Sequence, residues 1–510
     1  MKFKTKKLVL AVSLAVACQG ASAGEKEELE ALRQTTLNLI QALVDQGLLP
    51  KKQAEALITR AAVSPLAEAS SNKTEEGVIR VPYVPESVKK EIREQIKHEV
   101  LAQAKNERWG DPGALPDWVG RFKLDGDVRV RYQKDIFQKD NFTPTQLAPF
   151  GININNTSDD RERLRLRARL NVNAKVTDDL VAGLRLTTGN TTDPVSTNQT
   201  LGTSFNKYSV MFDQVYLKYD PYRWLSASGG RIPNPWFSTD LVWDEDLNFE
   251  GVAASLKPRI SDNLTGFLTG GAFPLQEIES SDTVKAKSKW LYGIQGGGEW
   301  ISDNQSKFKV GLAYYQYMNV AGKPNTVLNS TNFNGTAPQF RQKGNSVFNI
   351  DNDGNPATNL WALSSNFREI NLTASADFAA FDPVHVIVTG DYVKNVGFNR
   401  SEILQRTGQD IEPRVKGYQT KVTLGMLDTY KLGDWQAYVG YRHLERDAVL
   451  DAFTDSDFHL GGTDTKGYFV GGNYGIGKNA WLSMRYMSAD AIDGPPLAID
   501  VLQVDLNAKF

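Results

Sequence analysis

Several residue types on which soluble enzymes rely are scarce in this chain. Among 510 residues there is one cysteine, Cys18, and four histidines, His98, His385, His443 and His459. A single thiol excludes an internal disulfide framework and any multi-cysteine metal site. Scattered histidines without H-E-x-x-H spacing supply neither a zinc site nor the base of a Ser-His triad. Beyond residue 20 no apolar run approaches the roughly eighteen residues that a spanning helix requires. Charge of one sign is missing as well: 58 Lys and Arg against 60 Asp and Glu leave a net charge of −2. Nucleic acid is therefore not among the expected partners, and no cofactor is implied.

What the chain does have is a dyad. Residues 161–176 read RERLRLRARLNVNAKV, which places Arg163, Arg165, Arg167 and Arg169 on one face of a strand. Leu164, Leu166, Ala168, Leu170, Val172, Ala174 and Val176 take the other. The apolar face is long enough to meet about 25 Å of hydrocarbon, and the opposite face is a ladder of guanidinium groups. A barrel strand with lipid outside and water inside has this pattern. It also explains a polar average composition, because only every second side chain meets lipid.

The first residues differ. A basic start (Lys2, Lys4, Lys6, Lys7), an apolar core from Leu8 to Ala17 and the run Ala21-Ser22-Ala23 form a secretory signal over 1–23. Cys18 does not make it a lipoprotein signal, because Ala15 stands where a larger aliphatic residue is needed. Cleavage removes four lysines and takes the net charge from −2 to −6. Residues 24–118 read as a helical periplasmic region. Leu29, Leu32, Thr36, Leu39 and Leu43 repeat at helical spacing, and Val88, Ile92, Ile96 and Val100 form a narrow stripe. Three uses fit such a stripe: an intramolecular hairpin, a coiled coil that helps assemble an oligomer, or a contact with the cell wall.

From residue 119 to 510 one texture persists, and it reads as a single transmembrane antiparallel β-barrel of about 16 strands. The alternating segments fall near 121–134, 161–176, 180–189, 209–219, 223–231, 248–257, 263–273, 288–301, 306–318, 367–380, 383–395, 415–427, 434–446, 466–477, 480–489 and 499–510. Short turns such as Thr177-Asp178-Asp179, Asp220-Pro221 and Gly477-Lys478-Asn479 alternate with connections that are mostly long and rich in Asn, Thr, Asp and Gly. Trp290 and Trp300 share a face ten residues apart, as do Phe122 and Tyr132. At about 3.3 Å per residue and a tilt of 40–45° each pair spans roughly 23–25 Å, the separation of two headgroup layers. The chain ends in the middle of such a strand, on Phe510, as closing strands of outer-membrane barrels do.

Three motifs imitate chemistry. Ser87-Val88-Lys89-Lys90 with Ser261-Asp262-Asn263 mimics the S-x-x-K and S-D-N pair of penicillin-recognising enzymes but lacks K-T-G. Asn349, Asp351, Asp353 and Gly354 begin like a calcium loop, yet Leu360 stands where a bidentate Glu belongs. His443 and His459 flank the seventh long loop and are the only plausible bases for a barrel-borne hydrolase.

Most of the mature chain resembles the putative porin family of Gram-negative bacteria. The resemblance rests on LRQTTLNLIQALVDQGLLPKKQAEAL (32–57), GGRIPNPWFSTDLVWDEDLNFEGVA (229–253) and YRHLERDAVLDAFTDSDFHLGGTD (441–464). It implies a passive outer-membrane channel for small hydrophilic solutes and ions, in contact with membrane lipid, and by fold analogy a homotrimer; a solute-specific channel is the alternative. It brings no catalytic residue. The second block forms the third long loop (231–247), which in general diffusion porins folds inward. If it does so here, Asp240, Asp244, Glu245 and Asp246 face Arg163, Arg165, Arg167 and Arg169, with Arg129, Arg131 and Arg185 on neighbouring strands. A transverse field across a narrow waist follows, with a modest lean towards anions. The competing expectation is that the arginines only line the lumen and pair with local acids such as Asp125 and Asp127.

Overall fold

The computed structural model describes residues 119–510. The expected signal, the N-terminal helices and the Ser87–Lys90 motif lie outside the described residues.

Alternation builds one closed sheet. Its strands are β1 (Phe122–Phe137), β2 (Arg161–Lys175), β3 (Leu180–Thr187), β4 (Gln199–Thr200), β5 (Met211–Tyr222), β6 (Leu225–Pro233), β7 (Asn248–Leu256), β8 (Leu264–Gln276), β9 (Lys289–Ile301) and β10 (Lys307–Met318). After a short hairpin of β11 (Val347–Asn349) and β12 (Trp361–Leu363) come β13 (Arg368–Phe381), β14 (Val384–Asn395), β15 (Lys416–Gly425), β16 (Trp435–Leu444), β17 (Thr465–Gly477), β18 (Ala480–Ala491) and β19 (Ala498–Lys509). Leaving aside the short β4, β11 and β12, sixteen antiparallel strands each pair with two neighbours. The ring closes where β1 meets β19, from Asp127↔Lys509 to Phe137↔Ile499, while its other edge pairs with β2. Closure leaves no unpaired edge in the hydrocarbon, where an open sheet would cost several kcal/mol per unsatisfied group.

Side-chain burial is inverted relative to a soluble domain. In β1 Leu124 is 66% exposed while Arg131 and Asp135 are 4% and 1% exposed. The same holds for Leu164 in β2, Val310 and Leu312 in β10 and Leu506 in β19, all exposed on the outer face. Trp290 stacks on Tyr292 at one end of β9 and Trp300 on Phe308 at the other, with centroids 5.9 and 5.3 Å apart. Aromatic rings thus stand at both ends of the wall.

Short connections such as 176–179, 223–224, 382–383 and 478–479 lie at one end of the ring, and the long ones at the other. The interior departs from simple alternation. Phe249, Phe273, Leu291 and Tyr315, on β7 to β10, are buried inside together with Trp236 and Trp243 of segment 234–247. Trp243 packs edge-on against Phe249 and Tyr315 (5.0 and 5.1 Å), and Trp236 against Phe273 and Tyr315 (6.1 and 5.2 Å). Edge-to-face rings of this kind add directional attraction to their burial. They hold 234–247 against one sector of the wall.

Candidate functional site: the charged lumen

The pairing of β1 with β2 creates an electrostatic problem. Antiparallel register sets Arg129 opposite Arg167 and Arg131 opposite Arg165. Like charges directly across a ladder repel, and here they do so in a partly dehydrated interior where the field is less screened. The wall is therefore stable only if carboxylates reach it.

Some come from the strands. Arg163 Nη2 donates to Asp135 (2.8 Å), and Arg167 and Arg169 share Asp127 (3.0 and 2.8 Å). Arg131 grips Asp505 of β19 through two nitrogens, at 2.8 and 2.9 Å. Arg185 binds Asp213 at 2.5 Å. Arg129 donates to Asn198 (2.6 Å), with Asp505 at 4.0 Å, and Arg165 donates to Gln133 (3.1 Å) and Ser196 (3.4 Å). Asp125 accepts from Asn171 (2.7 Å).

Other carboxylates come from the loops. Segment 234–247 bonds to the inner wall at widely separated strands. Phe237 N donates to Gln295 on β9, and Thr239 Oγ1 to Asp391 on β14. Asp240 meets Arg442 on β16 at 2.9 Å and accepts from Gln419 on β15 at 2.7 Å. Asp246 reaches Arg169 (3.2 Å) and Arg167 (3.6 Å) on β2. Of the four acids expected to face the ladder, the structure brings Asp246 to it. Asp240 serves the cation of another sector. Asp244 accepts the backbone N–H groups of Asp246 and Ser456 (2.7 and 2.9 Å), and Glu245 is exposed in the lumen.

The seventh long loop, 445–464, also turns inward, beyond what the third loop alone would place in the lumen. Its Asp455 pairs with Arg442 (2.9 Å), and its Asp457 bridges Arg131 (3.0 Å) and Arg485 of β18 (2.5 Å). The two inward segments are joined directly: Asp244 N donates to Phe453 O (2.8 Å), and Thr454 Oγ1 donates to Leu241 O (2.8 Å). Ser456 Oγ ties both to the second loop through Val195 O (2.9 Å). The legible signal was the acid spacing in DAFTDSD (451–457), where Asp455 and Asp457 stand two apart like charged residues of a strand face.

Carboxyl ionisation follows these contacts. Burial pushes Asp457 up, but Arg131 and Arg485 more than offset it and hold it well below the usual range. Burial of Asp246 is likewise overridden by Arg167 and Arg169. Asp244 has no such cation: burial, with Asp246 and Asp455 nearby, pushes it well above its ordinary 3.8. The result is a junction in which burial disfavours the charge on Asp244 while paired arginines favour the charges of Asp246 and Asp457.

Two cavities flank the junction, and Trp243 borders both. One, of about 650 Å³, is lined by six cations, among them Arg129, Lys421 and Arg485, and by seven carboxylates. The other, of about 680 Å³, lies under the long loops and joins an apolar sector (Phe273, Leu275, Leu291, Phe340) to polar residues of the second loop such as Thr188, Asn190 and Thr192.

The imitative motifs resolve into loop chemistry. Asp262 of the S-D-N run pairs with Arg259 at 2.9 Å in the turn between β7 and β8. Asp353 accepts from Asn355 N and Thr358 Oγ1, a self-contained turn, and no cluster of metal-ligating side chains occurs among the described residues. His443 stacks on Tyr418, while His459 is buried with Nε2 2.9 Å from Leu497 O, so each has a structural partner.

The geometry can be set against known proteins. Pseudomonas putida OprB, in a high-pH structure, is 10% identical over 78% of this chain and 97% of its own, with a TM-score of 0.46. The outer membrane channel DcaP of Acinetobacter baumannii is 12% identical over 76% and 97%, with a TM-score of 0.41. Salmonella typhi OmpF, in complex with daunomycin, is 12% identical over 76% and 97%, with a TM-score of 0.38. No curated protein matches the chain. The family pattern described as Putative porin matches residues 33–510. A closed sixteen-strand wall, apolar outside and charged within, thus coincides with a family match over nearly the whole chain: the protein belongs to the putative porin family and is an outer-membrane porin-like channel.

Proposed function

We propose that the protein is a passive diffusion channel for small hydrophilic solutes and ions, narrowest where segments 234–247 and 445–464 meet. One observation carries this reading: a charged cavity of about 650 Å³ enclosed by a ring whose outer face is apolar. In such a waist, fixed charges of both signs orient dipolar solutes and exchange contacts with them step by step, so entry and exit both stay easy. The arginine wall of β1 and β2 favours anions locally. The near balance of cations and carboxylates in the cavity supports only a weak overall preference.

Reconstitution into a planar bilayer tests this. Stepwise conductance is expected, with a small reversal potential in a KCl gradient. A silent membrane from correctly folded protein would overturn the proposal.

A further inference from the structure

The cavity under the long loops differs in character from the waist. Phe273, Leu275 and Leu291 of β8 and β9 line it, with Val320 and Phe340 from the loop that follows β10. Among these apolar groups stands an ammonium, Lys289 at the start of β9, 4% exposed. Its Nζ donates to Ala337 O at 2.7 Å, and no carboxylate lies within ion-pair distance among the described residues. An ammonium has three donors, and a buried cation without a counter-charge is costly. The carboxylates that share the cavity are engaged elsewhere. Asp213 pairs with Arg185, Glu250 pairs with Arg231 (2.7 Å), and Asp193 accepts from Val195 N (3.1 Å).

We propose that this cavity is a capture site for small hydrophobic carboxylates: the carboxylate sits on Lys289 and the hydrocarbon body against Phe273, Leu275, Leu291 and Phe340. About 680 Å³ lies within the range of small-molecule pockets, and the apolar sector of this one adjoins polar residues such as Thr188 and Asn190. The ligand supplies the counter-charge that Lys289 lacks, and a charge-assisted hydrogen bond in an apolar setting is strong. The site deepens the channel reading, since it precedes the waist on the long-loop side, but its occupancy is measurable without conduction.

The test uses the full chain folded in detergent, with benzoate as the probe. Titration calorimetry is expected to show saturable binding at one site. Lys289→Met should weaken it roughly tenfold, the loss of one charge-assisted hydrogen bond, and Lys289→Arg should largely preserve it. Acetate, which lacks the body, and benzyl alcohol, which lacks the charge, should each bind far more weakly. Phe340→Ala, a loop substitution outside the strand wall, should also weaken benzoate and provides a second route if Lys289→Met does not fold. Absent benzoate binding, or equal binding by wild type and folded Lys289→Met, overturns the proposal. In bilayers, benzoate added from the long-loop side should reduce the KCl current saturably in wild type alone. Binding by calorimetry with a silent bilayer would sink the channel and leave the capture site standing.

Discussion

Asp457 shows how much one side chain carries here. Arg129 and Arg131 lie across the ladder from Arg167 and Arg165, and Arg485 stands close by. One carboxylate from a distant loop relieves part of that repulsion and at the same time pins the loop. Asp457→Asn keeps the shape and removes the charge. We expect a loss of about 3 kcal/mol, the lower end for a buried pair because Arg131 keeps Asp505, read by urea unfolding in detergent micelles. The same variant should shift the reversal potential towards anions. Asp244 makes the opposite use of burial. Its folded pKa is raised, so its contribution is complete below the ordinary 3.8 and is lost as pH rises through the folded value. Asp457, held low, contributes above 3.8 and loses that contribution only as pH falls below it. These two groups together make the loop junction most secure near the ordinary carboxyl value of 3.8, where neither contribution has been lost. Asp244→Asn mimics the neutral acid, so its stability relative to wild type should increase with rising pH; a pH-independent difference would show that folding does not raise the Asp244 pKa.

At the scale of strands, alternation was the strongest signal, and it located all sixteen spanning strands to within a few residues. It works because the two faces meet different solvents, so every misplaced residue is penalised. Val130 marks the lipid side: it is exposed and pairs with Leu166 and Leu506. Val130→Lys should cost about 2–4 kcal/mol if it lies near the bilayer midplane, measured by denaturant titration in lipid vesicles, while Arg129→Lys on the next residue should cost much less. Less was legible inside. Alternation says that inward positions are polar, but Phe273, Leu291 and Tyr315 point inward as anchors for Trp236 and Trp243. A strand reading cannot distinguish an inward aromatic that binds a loop from an outward one that meets lipid. The loop partners were legible only in part: the Asp246–Arg169 pair, 77 residues apart, was expected from the inward loop that the resemblance implies, whereas the Asp457–Arg131 pair, 326 apart, was not, because local spacing does not report such a partner. The short β4, β11 and β12 went unnoticed because two or three residues are too few to show a period.

For the molecule as a whole, closure is the property on which every other feature depends. Strands β1 and β19 come from opposite ends of the described chain, so the seam between them pays the largest loop-closure entropy of any pairing in the ring. Its register is held at the short-turn end by Gly126 and Phe510, whose backbones exchange hydrogen bonds of 2.9 and 3.0 Å. A side chain at Gly126 has no room: its Cβ would lie 2.5 Å from Arg169 O and 2.8 Å from the Phe510 ring. Gly126→Val should therefore strain the seam on both sides at once, against β2 and against the terminal residue. Gly390, in the middle of β14, has open space where a Cβ would go, and valine suits a strand better than glycine. The two substitutions add the same atoms at places that differ only in what closure demands. Refolding from urea into detergent, scored by the gel-mobility difference between folded and heat-denatured barrel, should give a reduced folded fraction for Gly126→Val and an unchanged one for Gly390→Val. Equal yields would mean that the ring closes without the tight contact at its terminus, and that the Phe510 seam is an ornament of the fold rather than its latch.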